Sequence, residues 1–169
     1  MAFDDPGRRV VEGTDPDVFA AIIEPEVGAA VWTRPSPIQD REFPAWARPA
    51  KDEFTALPPW LSADMIVLRD QLTHLGLGHA WRFTLETVTT RACPRFHQDA
   101  LKLRLITAYR GPGVELATAD DPDTVLRIPT GSAVLLKGSR WPGVPKLLHR
   151  SPPARRSRPR WLLVMDLVD

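Results

Sequence analysis

Apolar and polar positions along this chain change their period at residue 81. Before it, apolar residues recur at three- and four-residue spacing in two places. Asp15-Pro16 reads as a helix cap and first helical position, opening a short helix through Val18, Phe19, Ile22 and Ile23 that Pro25 limits. Met65, Leu68, Leu72 and Leu75 make the apolar stripe of a second, amphipathic helix, with Ser62 as its N-cap and Gly76 and Gly78 as its stop. From Trp81 the period is two: Trp81, Phe83 and Leu85 alternate with Arg82, Thr84 and Glu86, and the β-branched Thr87–Thr90 continues the strand. Further strands are predicted over 100–109, 125–128, 133–137, 147–149 and 161–168, parted by turn signals such as Gly111-Pro112-Gly113 and Pro129-Thr130-Gly131.

Eighteen prolines break regular structure between these elements. Residues 1–14 read as a loose segment. Residues 26–60, where Trp32, Phe43, Trp46, Phe54 and Trp60 mix with prolines, read as a segment wrapped over apolar surface. Helices first and short strands afterwards imply an α+β chain. The expected organisation is a single domain, with residues 1–80 as a helical and proline-rich cover and 81–169 as the β core, a sandwich or jelly-roll barrel.

Composition removes several alternatives. A formal charge of +1 provides no field for steering nucleic acid. Arg150, Arg155, Arg156, Arg158 and Arg160 form a basic run, but no interleaved aromatic platform accompanies them, so a solvated loop is the expectation and nucleic acid is not. The one cysteine, Cys93, excludes an intramolecular disulfide and a multi-cysteine zinc cluster; it reads as a small buried residue in a reducing compartment, the cytoplasm. The polar start and the absence of an apolar run near 20 residues point away from secretion and from a membrane span.

The chemistry concentrates in Arg95-Phe96-His97-Gln98-Asp99. Two residues apart on extended chain, His97 and Asp99 point the same way. His149, on a later strand, can supply a third vertex. Two imidazoles and one carboxylate form the facial set of mononuclear non-haem iron(II) sites, which keeps other coordination positions open, and the same donors also suit zinc. His74 and His79 flank the end of the amphipathic helix and read as structural, whereas Trp141, in the turn before His149, is expected near the mouth of the site.

With these residues in place, residues 83–168 resemble the iron(II)- and 2-oxoglutarate-dependent dioxygenases. The resemblance lies in His97-x-Asp99, the strand Leu103–Tyr109, the stretch Ile128–Leu136, His149-Arg150 and Arg160-Trp161-Leu162-Leu163. It implies a double-stranded β-helix, cupin-like barrel with an N-terminal helical cover. It also implies Fe(II) on His97, Asp99 and His149, with 2-oxoglutarate as co-substrate. The far carboxylate of that co-substrate would be bound by Arg160, or by Arg158 in the turn, with a hydrogen bond from Tyr109. Phe96–Asp99, Leu103–Pro112 and His149–Pro153 further resemble a bacterial family defined as a domain of unknown function. The leading expectation is an oxygenase acting on a small molecule; the alternative is a cupin-like binder of zinc or another metal.

Overall fold

Alternation of buried and exposed residues, together with the proline breaks, divides the protein into nine strands and two helices in a computed structural model that describes residues 9–38, 57–143, 147–154 and 157–168. Phe43, Trp46, Phe54, Arg155 and Arg156 lie outside the described residues. The strands are β1 (Val10–Gly13), β2 (Ala29–Trp32), β3 (Trp81–Val88), β4 (Leu103–Arg110), β5 (Glu115–Thr118), β6 (Leu126–Arg127), β7 (Ala133–Lys137), β8 (Leu147–Arg150) and β9 (Arg160–Leu167). A six-stranded sheet runs β1-β2-β7-β4-β9-β3 and a three-stranded sheet runs β6-β5-β8.

Three strands were not legible as such. The pattern reads 1–14 as loose and 26–60 as wrapping, yet β1 and β2 pair in parallel and β2 joins β7 antiparallel. The division at residue 80 therefore does not separate cover from sheet. β2 is buried from Ala29 to Val31, and a four-residue strand that is apolar on both faces has no alternation to betray it. β5 is buried throughout and hides for the same reason.

The short helix forms as expected, with the Asp15 carboxylate accepting from Asp17 N at 2.9 Å, and it is a 3-10 helix spanning Pro16–Ile23. The longer helix, α1 (Pro59–His74), starts three residues before the expected cap: Pro59 occupies its first position and Ser62 lies in its first turn. Proline at that position has no N–H to leave unpaired and a backbone already set for helix, so it outcompetes a serine cap further on.

The two faces of the large sheet do different work. Odd-numbered residues of β4 and β9 (Leu103, Leu105, Tyr109, Trp161, Leu163, Met165) share one buried cluster with Leu61, Leu68 and Leu72 of α1 and with Phe19 and Ile22. Met65 and Leu75 pack at its margin. A 16-residue helix is marginal alone in water, so this burial is what holds it. The opposite face of the large sheet, through Ile106, Val134 and Leu136, packs on Leu116 and Leu147 of the small sheet. The site lies between the sheets.

Candidate metal centre

His97 and His149 meet through their backbones. His97, outside any strand, pairs with His149 of β8: His97 N donates to His149 O at 3.0 Å and His149 N donates to His97 O at 2.9 Å, an isolated antiparallel bridge. Directly opposed residues in such a bridge send their side chains to one face, and the two imidazole centroids are 4.4 Å apart. Asp99 reaches the same point from the loop after His97, its Oδ1 lying 3.6 Å from His97 Nε2 and its Oδ2 3.2 Å from His149 Nε2.

One donor atom from each of His97, Asp99 and His149 lies within 4.8 Å of the others. Metal–ligand bonds near 2 Å place ligand atoms no more than about 4 Å apart, so side-chain adjustments of under an ångström bring this set to a first-row ion. The tautomer fits as well. His97 Nδ1 is 2.9 Å from the Arg95 carbonyl, which can only accept, so Nδ1 carries the proton and Nε2 offers its lone pair to the site. Burial works against the charge on Asp99, but the hydrogen bond and charge of His149, followed by Arg104 and His97, hold its carboxyl below the usual carboxylate range. It is therefore a carboxylate near neutral pH.

The loop that presents Asp99 is pinned to the start of the turn after β7. Ser139 N donates to Asp99 O at 2.8 Å and Gly138 N to Lys102 O at 2.8 Å. A Cβ on Gly138 would sit 2.1 Å from Leu101 O and 2.8 Å from Asp99 O, so only glycine allows this approach.

A cavity of about 190 Å³ opens over the three side chains, its apolar wall formed by Ile106, Val114, Leu162 and Val164. Glu86 and Cys93 also line it. Cys93 is exposed rather than buried: its backbone carbonyl accepts from Ser151 N at 2.9 Å, which ties its loop to the rim of the cavity.

Arg160 begins β9 with no side-chain exposure. Alternation puts it on the face of Leu162 and Val164, which line the cavity, although Arg160 itself is not one of the lining residues. Its Nε donates to Pro112 O at 2.7 Å, while Nη1 and Nη2 are buried and find no hydrogen-bond partner among the described residues. Burial lowers its pKa to about 10 despite the opposing charges of Glu86 and Glu115. Gly111, at φ +77°, clears room for its stem: a Cβ there would lie 2.8 Å from Arg160 Cγ.

Other expected positions are not brought to the site. Tyr109 lies on the opposite face of the sheet, its hydroxyl donating to Asp64 Oδ2 at 2.7 Å and its ring packed edge-on to Trp60, so it cannot hydrogen-bond a ligand beside the three metal-binding candidates. Burial, then the Asp64 charge, push its phenol far above the ordinary range. Arg158 is exposed in the turn before β9. Trp141 packs at the edge of the helix-side core under Lys137 Nζ, not at the mouth. His74, the last residue of α1, and His79 beyond it are exposed. The basic run is dispersed too: Arg150 Nε donates to Glu115 Oε2 at 2.7 Å and Arg160 is internal.

Sequence reasoning missed Arg104 and Asp166. Their signal was a charged residue between buried aliphatics on each of two strands, Leu103-Arg104-Leu105 and Met165-Asp166-Leu167. The structure pairs them: Arg104 Nε and Nη2 donate to Asp166 Oδ1 and Oδ2 at 2.6 and 2.8 Å, and Arg104 Nη1 donates to Asp99 Oδ2 at 2.8 Å.

Against known proteins, a family model described as protein of unknown function (DUF1826) matches residues 45–166. No curated protein matches the chain. Solved structures with a similar arrangement include a Shewanella oneidensis protein provisionally assigned as an oxygenase, at 12% identity and TM-score 0.47, covering 69% of this chain and 60% of that one. The Arabidopsis thaliana dioxygenase for auxin oxidation 1, in complex with 2-oxoglutarate, is 12% identical at TM-score 0.41, covering 64% of this chain and 48% of that one. A Pseudomonas putida prolyl-4-hydroxylase is 18% identical at TM-score 0.43, covering 64% and 63%. The matched part thus spans between about half and under two thirds of those chains' lengths.

Proposed function

The chain belongs to the family of proteins of unknown function DUF1826, and from its site we propose that it is an iron(II)- and 2-oxoglutarate-dependent oxygenase acting on a small molecule. The observation that carries the reading is the pairing of two features between the same sheets. One is the convergence of His97, Asp99 and His149; the other is a buried guanidinium, Arg160, with two unpartnered nitrogens. We take the chain as one domain whose two sheets form the double-stranded β-helix of that superfamily, with α1 as outer cover.

His97, Asp99 and His149 hold the metal, and no further residue is assigned to catalysis. Two neutral imidazoles and one carboxylate give a site of modest negative charge that suits a divalent ion and leaves one face open to small ligands. Iron(II) bound there supplies oxygen activation, chemistry that no side chain provides. Arg160 receives the far carboxylate of 2-oxoglutarate: an unpaired charge in low dielectric is costly, and a carboxylate pairing with both Nη atoms removes that cost. Arg158 is the weaker candidate for this role because its side chain is solvated. Ile106, Val114, Leu162 and Val164 exclude water from the reacting face.

Zinc is the alternative, since the same donors bind it in sites that activate water. The test is metal analysis of protein purified without added metal, then anaerobic addition of iron(II) and 2-oxoglutarate. Iron in the preparation and a visible metal-to-ligand charge-transfer band on adding 2-oxoglutarate are expected. Tightly held zinc with no band would transfer the assignment to the zinc reading.

A further inference from the structure

We propose that Arg104, clamped by Asp166, is a positioning residue that commits Asp99 to binding metal through Oδ1 alone. The role presupposes that the face of His97, Asp99 and His149 holds a metal.

The loop that carries Asp99 is pinned through its backbone. The Asp99 carbonyl is tied to Ser139, but its carboxylate is held only by side chains. Of these, the histidines must turn their nitrogens to the metal, so they cannot orient the carboxylate once an ion is present. Arg104 can, because it comes from the middle of the large sheet: β4 is paired on one side with β7 and on the other with β9, where Arg104 lies opposite Asp166 in register. Asp166 fixes the plane of the guanidinium through two hydrogen bonds, and the third bond, from Nη1, then has one direction and ends on Asp99 Oδ2. Oδ2 also lies 3.2 Å from His149 Nε2, so it is the charged donor on that oxygen, not its distance from the site, that leaves Oδ1, 3.6 Å from His97 Nε2, to bind the ion.

This arrangement does two things. It keeps the carboxylate from chelating through both oxygens, so that one fewer coordination position is taken by protein. It also requires both partners: without Asp166 the guanidinium loses its fixed plane, and without Arg104 the carboxylate loses its fixed rotamer. Outer partners of metal ligands of this kind are worth roughly 10- to 100-fold in metal affinity.

The test is titration of wild type, Arg104→Gln, Asp166→Asn and Arg127→Gln with cobalt(II), reading the dissociation constant and the visible ligand-field spectrum. Arg127 pairs with Glu115 on the small sheet, away from the three ligands, and serves as the control. Arg104→Gln and Asp166→Asn are each expected to weaken cobalt binding by about 10- to 100-fold and to change the band shape, because Asp99 is freed to bind through both oxygens. Arg127→Gln keeps the wild-type constant. If Arg104→Gln does not fold, Asp166→Asn decides by the same readout, since it keeps the side chain's size while replacing one of the two acceptor oxygens with an NH2 group that cannot accept from Arg104. Wild-type affinity and spectrum in folded Asp166→Asn overturn the clamp, as does an equal loss in Arg127→Gln. Wild type that binds no cobalt overturns the metal reading itself, an outcome distinct from wild type that binds while the variants match it.

Discussion

His97 and His149, 52 positions apart in the chain, exchange both of their backbone hydrogen bonds, at 3.0 and 2.9 Å. The two imidazoles are therefore placed by main-chain geometry rather than by side-chain packing. Removing either ring should leave the bridge and the fold intact while removing a ligand. His97→Ala and His149→Ala are expected to lower iron(II) or cobalt(II) affinity by at least about 100-fold, or ~3 kcal/mol, with little change in the melting temperature of the metal-free protein. A variant that binds as wild type does excludes that histidine from the ligand set.

Asp99 contributes to the acid limb of stability. Its folded pKa is depressed, so the stability it contributes is present above the ordinary carboxylate pKa and is lost as pH falls through the lower, folded value. Chemical denaturation of the metal-free protein at pH 5 and at pH 3 should therefore show a smaller drop for Asp99→Asn than for wild type. An equal drop in both would mean that other carboxylates dominate that range.

Arg160 should cost the protein stability when no anion is bound. With its folded pKa near 10 against 12.5 in an open chain, the unfolded state holds more protons between these values, and the native state carries its charge at a disadvantage. Arg160→Met is expected to raise the stability of the metal-free protein by about 1 kcal/mol, a few degrees in melting temperature, while abolishing the 2-oxoglutarate-dependent absorption band and sparing metal affinity. Should Arg158→Ala remove the band and Arg160→Met retain it, the co-substrate assignment moves to the turn.

Tyr109→Phe separates the helix side of the sheet from the cavity side. The hydroxyl meets Asp64, which is also paired with Arg34, so the change should cost about 1–2 kcal/mol through the lost hydrogen bond to a charged group. Affinity for 2-oxoglutarate should not move. A large rise in its dissociation constant would place Tyr109 at the site after all.

Gly138→Ala tests the support of the Asp99 loop. The new methyl would meet Leu101 O at 2.1 Å, a clash with backbone that must displace the loop. A loss of roughly 2–3 kcal/mol in stability is expected, accompanied by weaker cobalt binding. Unaltered melting and binding would show that the loop accommodates the shift.

Much of this protein is determined by local pattern. Alternation marks β3, and β-branched and aliphatic runs mark β4, β7 and β9, because one face of each strand must stay dry whatever its partner. The spacing of His97 and Asp99 fixes their common direction, and the parity of β9 fixes that Arg160 shares a face with Leu162 and Val164. These properties depend on the side-chain period of a strand, which each short segment carries within itself. What lies beyond a segment's own period was decided by the tertiary structure. Tyr109 has odd parity relative to Arg104, so the two face opposite sides of the sheet, but only the docking of α1 shows that the side of Tyr109 is the one without the site. β1 and β2 are strands because the sheet has an open edge beside β7 for them to join, not because four residues insist on it. Cys93 and Trp141 change places relative to expectation, one into the cavity wall and one onto the helix-side core, since loops follow their anchors rather than their hydrophobicity. The contact of Arg104 with Asp166 spans 62 positions. It exists because β4 and β9 are neighbours in one register, and register between distant strands is set by packing of the whole sheet rather than by either sequence alone.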